Sequence, residues 1–305
     1  MSVLLHLAPH PDDELVGAPA TLMALRDTGW QVVNLVLSLG SVQEQKQRRE
    51  AEAREACRRA RFELVVADLP LGPSATAACA GAGAAGELRR VEEQVTDFIC
   101  DAIAREGPLV VVGPSPHDAH PAHEAVGRAA VAACERRESN GLEVPRLWFW
   151  GLWADLPFPT IVSGFGEERM GEILACLEAY EVELARTDYR RLVRGRAMAS
   201  SSVGPERVFG FGTPTPAQGG AEYVELLCEV LLRDGGWAIG APRRLDSADP
   251  LAAAGGAASA TDFSDIGGAG GESDEGGGGG TWPAGPGARI GDWLHSPSVH
   301  TDYRR

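Results

Sequence analysis

Five short, almost wholly apolar runs, separated by segments of helical character, constrain this chain most. They are SVLLHLA at 2–8, QVVNLVLS at 31–38, ELVVAD at 63–68, LVVVG at 109–113 and RLWFWGLW at 146–153. Between them lie helical patterns at 15–28, with Leu15, Val16, Leu22, Met23 and Leu25 as apolar positions, and at 43–61, 87–105 and 121–137. Strands that are apolar on both faces and alternate with helices form a parallel sheet covered on both sides. The predicted fold class is therefore α/β, a Rossmann-like doubly wound and mostly parallel sheet. Further helices are predicted at 167–184 and 221–234. In such sheets a ligand sits beyond the carboxyl ends of the strands.

Domain organisation follows from where this pattern stops. Residues 1–235 read as one domain and 236–305 as a C-terminal extension. In the extension, 252–281 is dominated by Gly, Ala, Ser and Asp and buries too little apolar surface to order itself cheaply, so a flexible loop is expected. Residues 282–305 regain Trp, Ile and Leu and are expected to dock back on the domain. A second small-residue loop is expected at 78–86.

The formal charge of −15 argues against a phosphate-backbone ligand and against anionic membranes. Arg and Glu alternate through 48–61, which reads as a solvated helix face. Six Cys without a CxxC pair read as reduced, mostly buried thiols. The N-terminus lacks a basic leader pattern, and no apolar run reaches the ~18 residues of a membrane helix. A cytoplasmic protein is the expectation, with no nucleic-acid or membrane partner. The sequence sets no oligomeric state.

Two clusters carry chemistry, and each directly follows a predicted strand. APHPDDE at 8–14 places His10, Asp12, Asp13 and Glu14 within five residues. A helix start would explain one acidic cap but not a His and three carboxylates. PSPHDAHPAHE at 114–124 holds His117, His120 and His123, three of the chain's seven His, beside Asp118 and Glu124. Pro121 suits a first helical position, which puts His120 near the N-cap. If the two strands neighbour each other at the switch point, a nitrogen from each loop and one carboxylate make a His₂Asp site with an open position. That is the pattern of catalytic zinc. Zn²⁺ is the expected cofactor, with Co, Fe or Mn as other divalent candidates.

APHPDDE followed by DxHPxH resembles the PIG-L (LmbE-like) family of N-deacetylases. Arg49 and Glu52 match its RxxE helix, and AEY at 221–223 resembles its AEaF segment, so the likeness spans roughly residues 1–235. The resemblance implies metal ligands His10, Asp13 and His123, general base Asp12, and His120 as the imidazole supporting the oxyanion. It makes Asp118 an orienting group behind a His, with Arg49 beside the site. Two positions depart from the pattern. Ala122 stands where the family has a carboxylate near His120. Leu71 stands where it has one for sugar hydroxyls, for which Asp68 is the candidate substitute.

Trp148, Phe149, Trp150 and Trp153 offer an aromatic platform for a sugar or a bulky aglycone, with Trp150 and Trp153 as candidate contacts; core packing is the competing reading. His117 as a fourth ligand, His295 or His300 reaching the crevice from the tail, and Asp12 as a cap only stay open, while His6 reads as a packed core His. Residues 1–30 and the Gly-rich acidic tail resemble family members of glycopeptide-antibiotic assembly. This implies a bulky N-acetylglucosaminyl pseudoaglycone as the glycoside substrate. A small N-acetylglucosaminyl conjugate of a low-molecular-weight thiol route, or a non-catalytic Rossmann-like binding protein, are the alternatives.

Overall fold

The computed structural model describes residues 1–71, 84–213, 220–251 and 290–296, with side chains from residue 90 onward in the second of these stretches. The segment 252–281 and most of 78–86, with Cys79 and His300, lie outside the described residues. Strand β1 (Val3–Ala8) pairs in parallel with β2 (Gln31–Val36) on one side and β4 (Val110–Pro114) on the other. β3 (Glu63–Val66) extends the sheet beyond β2, and β5 (Arg146–Trp150) extends it beyond β4. The order β3-β2-β1-β4-β5 thus reverses between β1 and β4. That reversal is the switch point of a doubly wound sheet, where the loops after the two central strands diverge and leave a crevice.

Helices cover both faces. α1 (Asp13–Val16), α2 (Pro19–Asp27) and α3 (Gln43–Ala60) lie early in the chain, and α4 (Ala84–Glu106) and α5 (Pro121–Ser139) follow. α3 turns Ala53, Ala56, Cys57 and Ala60 inward and laces its outer face with Arg48–Glu52, Arg54–Glu50 and Arg59–Glu55 pairs at i,i+4 spacing, as expected for a solvated face. The predicted helix 15–28 is broken at Gly17–Ala18. Pro19 opens α2, and a Cβ on Gly17 would sit 2.7 Å from the Trp150 ring. The predicted 167–184 helix is likewise two, α6 (Glu167–Leu177) and α7 (Glu181–Arg186).

The segment 221–234 corrects the prediction: it is not a helix but strand β7 (Tyr223–Arg233), the longest of the sheet. β7 runs antiparallel to β5 on one edge and to β6 (Ile161–Phe165) on the other, with β8 (Gly236–Ile239) returning beside it. β9 (Arg243–Arg244) closes the far edge beside β6. The i,i+4 spacing of Glu225 and Glu229 imitates a helix face but also puts both on one face of a strand. Both carboxylates are tied down. Glu225 accepts the backbone N–H groups of Ala20 and Thr21 at 2.8 Å each, capping α2. Glu229 accepts from Arg243 Nη1 and Nη2 at 2.6 and 2.9 Å, Trp148 Nε1 at 2.9 Å and Arg146 Nη1 at 3.2 Å. Against this strand packs α8 (Tyr189–Phe209), an Arg-rich helix that the apolar periodicity does not announce.

Glu229→Ala strands the buried Arg243 guanidinium and is expected to cost about 3–5 kcal/mol. Burial works against the Glu229 charge, but Arg243, Trp148 and Arg146 outweigh it and hold the carboxyl below its ordinary range. A lowered native pKa stabilises above the unfolded value and is lost as pH falls. In urea titrations the gap between unaltered protein and variant therefore narrows below about pH 4; a constant gap would contradict the ion-pair account.

The C-terminal helix α9 (Ile290–His295) buries Ile290 and Leu294 in the same apolar cluster as Val126, Ala130 and Val230. No helix of the described residues is long and apolar enough to cross a membrane.

Candidate metal centre

The turn after β1 carries the first acidic cluster in a conformation fixed by its backbone. Asp12 adopts φ 100°, in the left-handed region that a non-glycine residue rarely occupies, and its carbonyl starts α1 by accepting from Leu15 and Val16 at 2.9 and 3.1 Å. Strain of this kind gathers at functional sites. It separates the roles of consecutive residues. Asp13 turns back to its own turn, and its Oδ2 accepts the His10 backbone N–H at 2.8 Å and lies 3.6 Å from His10 Nδ1. Glu14 turns into the core, where it accepts the Tyr180 hydroxyl at 2.5 Å.

The loop after β4 supplies the other half. His120 is the N-cap of α5, and its Nδ1 accepts the Ala122 N–H at 3.3 Å. Nδ1 is therefore unprotonated, and the neutral ring carries its proton on Nε2. His123, one turn along, brings Nε2 to 3.3 Å from Asp13 Oδ1 and Nδ1 to 3.5 Å from Asp118 Oδ1. Asp118 is fully buried; it accepts His120 N at 3.0 Å and Leu152 and Trp153 N at 3.0 and 3.1 Å. It thus sits behind His123 and ties the loop after β5 to the site.

His10, His120 and His123 bring ligand atoms within 4.8 Å of one another. Asp13 stands between His10 and His123 on its two oxygens. The residues fit a divalent cation. Asp118 stands on the Nδ1 side of His123, which leaves Nε2, beside Asp13, as the nitrogen for a cation. Burial alone would lower the His123 pKa, yet Asp13 and Asp118 raise it to about 10. Burial opposes the Asp13 charge, but His123 and His10 hold that carboxyl well below the usual range. The pocket is thus electrostatically arranged to hold positive charge between two carboxylates. His120 is the poorer fourth ligand, because the nitrogen facing Ala122 is engaged and the other bears the proton.

Burial, then Asp13 and Glu14 beside it, push the Asp12 carboxyl well above its ordinary value, with Arg49 opposing. Burial, then His123 and His10, lower His120 to about 4. The crevice has a volume of about 250 Å³, and Asp12, Arg49, Trp153, Arg186, Thr187 and Tyr189 line it beside His10, Asp13, His120 and His123.

Several sequence-predicted residues lie elsewhere. Trp150 is 1 % exposed, so it offers no sugar platform; its ring edge packs on His123 at 5.4 Å and its Nε1 donates to His6 Nε2 at 3.2 Å. Trp148 and Phe149 are equally buried, and only Trp153, 46 % exposed, reaches the crevice. Asp68 accepts from Lys46 Nζ at 2.9 Å and Leu39 N at 3.2 Å and does not line the crevice. Leu71 and Ala122 are buried in the apolar core. His117 packs on Trp293, His295 pairs with Glu135, and neither joins the ligand group; His6 is fully buried against Asn34. The sequence reading missed Arg186, Thr187 and Tyr189, whose signal was only the Arg-rich stretch around 186–196.

The family described as PIG-L, GlcNAc-PI de-N-acetylase, matches residues 5–134. No curated protein sequence matches the chain. Among solved structures, the conserved protein TT1542 from Thermus thermophilus is similar at 23% identity and TM-score 0.55, over 74% of this chain and 94% of that one. The zinc-inhibited form of teicoplanin deacetylase Orf2 is similar at 18% identity and TM-score 0.57, over 76% and 99%. N,N'-diacetylchitobiose deacetylase from Pyrococcus horikoshii is similar at 16% identity and TM-score 0.53, over 75% and 83%. At these identities the three share a fold with this chain. The PIG-L match over residues 5–134 takes in His10, Asp12, Asp13, His120 and His123.

Proposed function

We propose that the protein is a metal-dependent N-deacetylase that hydrolyses the acetamide of an N-acetylglucosaminyl conjugate to a free amine and acetate. The observation that carries this reading is the convergence of His10, Asp13 and His123 with Asp12 and His120 in one crevice. The family match and the fold shared with two deacetylases support it. His10, Asp13 and His123 would hold the cation. Bound there, a divalent ion such as Zn²⁺ supplies Lewis acidity, polarising the amide carbonyl and lowering the pKa of a water.

The chain's own groups divide the remaining work. Asp12, whose pKa burial pushes up, takes a proton from the attacking water. His120 donates Nε2–H to the carbonyl oxygen as it gains negative charge. The C–N bond then breaks, and Asp12 passes the proton it took from the water to the departing amine, which leaves acetate behind. A silent binding protein would not need this complete set.

The crevice fits one sugar ring. A cavity of 150 Å³ holds benzene, and this one has about 250 Å³. A glycopeptide pseudoaglycone would place its N-acetylglucosaminyl ring inside, with the aglycone outside over Trp153. A small thiol-route conjugate presents the same sugar. The test is incubation of zinc-loaded protein with N,N'-diacetylchitobiose, a glycopeptide pseudoaglycone and a small N-acetylglucosaminyl conjugate, read by mass spectrometry. Loss of one acetyl from at least one is expected, and the preferred one names the substrate class. No acetyl loss from any of them would overturn the proposal.

A further inference from the structure

One segment supplies carboxylates to the metal centre and a second braces the loop that carries His123, and their relative position has to be set by something other than the ligands. The first is the turn and helix 12–16, carrying Asp12 and Asp13. The second is the loop 151–153 after β5, whose Leu152 and Trp153 N–H groups hold Asp118 Oδ2. Asp118 in turn holds the His120 backbone and faces His123. Among the described residues no hydrogen bond passes directly from 12–17 to 151–153.

One side chain joins them. Arg196, on α8, donates Nη1 to the Val16 carbonyl at 3.1 Å and Nη2 to the Gly151 carbonyl. The Val16 carbonyl ends a four-residue helix and needs a partner from outside it. In a continued helix it would accept from Ala20 N–H, but Glu225 has taken that group. Arg196 itself makes no ion pair among the described residues. Burial pulls its pKa down, with Glu225, Asp118 and Asp155 opposing. A charged, largely desolvated side chain is thus spent on two backbone carbonyls, which a planar fork can span and a single ammonium cannot.

We propose that Arg196 is a positioning residue of the metal centre: its guanidinium fastens the segment bearing Asp12 and Asp13 to the segment that orients His123 through Asp118. The assignment rests on the metal-centre reading above and extends it to a residue over seventy positions beyond the last ligand. Arg196 touches neither ligand nor crevice; it acts through Val16 and Gly151. Beside it lies a cavity of about 210 Å³, lined by Val16, Gly151, Ala197 and Arg207 as well as Arg196. That volume exceeds the ~150 Å³ that holds benzene, so a small guanidinium compound has room to replace the lost group.

The test uses the full chain and two variants. Arg196→Met keeps the aliphatic stem and removes the fork; Arg196→Ala opens the space. Zinc affinity is read by competition with a chromophoric chelator, and kcat and KM with N,N'-diacetylchitobiose. Arg196→Met is expected to weaken zinc binding by about 10–100-fold, as loss of a partner behind a ligand does. It should lower kcat by about 100-fold through misplacement of the reacting groups, with KM nearly unchanged. Methylguanidine should restore zinc affinity and turnover in Arg196→Ala and leave the unaltered protein unaffected. Unaltered zinc affinity in Arg196→Met overturns the proposal. So does a drop in melting temperature with full zinc affinity, or failure of methylguanidine to rescue Arg196→Ala. If the unaltered protein binds zinc but releases no acetyl, the proposed activity fails while the zinc measurement still judges Arg196.

Discussion

Asp12→Asn is expected to retain zinc and to lose about 10²–10⁴-fold in kcat, the range that a positioned general base supplies. The two neighbouring aspartates are chemically identical, and the backbone distinguishes them. The left-handed φ of Asp12 sends consecutive side chains in different directions. Asp13 faces His10 and His123, within 3.6 and 3.3 Å. Asp12 lines the crevice with no imidazole engaged, and there burial and its acidic neighbours raise its pKa and suit it to accept a proton. Asn keeps the shape and tolerates the left-handed conformation, so the substitution removes the base and little else. Zinc content by elemental analysis and kcat on the same sample decide the matter. Loss of the metal together with turnover would mean that Asp12 and Asp13 have exchanged roles.

His123→Ala is expected to abolish stable zinc binding, a larger effect than the 10–100-fold typical of losing a group behind a ligand. His123 is where the two halves of the site meet. Its Nε2 faces the carboxylate from the β1 turn, and its Nδ1 faces Asp118 from the β4 loop. Without it, His10 and Asp13 remain as two ligands from a single turn. His120 cannot easily take its place, because its Nδ1 is held by the Ala122 N–H. Dialysed His123→Ala protein should carry almost no zinc; full occupancy would remove His123 from the ligand set.

Much of this was legible in the sequence. The five parallel strands announce themselves because a covered parallel strand is almost continuously apolar. The motifs that follow β1 and β4 meet because the switch point leaves no other place for those loops. What escaped reading escaped for physical reasons. β7 mimics a helix because its two carboxylates are four residues apart and both are held by partners outside the strand, Arg243 and the start of α2. Trp150 looked like a sugar platform. Its role is instead to pack beneath His123, and only Gly17, 133 positions earlier, makes the room. Asp68 could be matched by chemistry but not by place, since Lys46 and Leu39 claim it. α8 carries Tyr189 to the crevice and Arg196 behind it, and neither belongs to a local motif. Their importance comes from where the helix crosses the sheet.

The central claim is that His10, Asp13 and His123 surround one divalent ion while Asp12 and His120 stand free to act on substrate. Anomalous diffraction at the zinc edge from crystals of the zinc-loaded protein tests it most directly. The account predicts a single peak about 2.0–2.2 Å from a nitrogen of His10, an oxygen of Asp13 and a nitrogen of His123. A peak coordinated by Asp12, or by His10, His120 and His123 without Asp13, would contradict it.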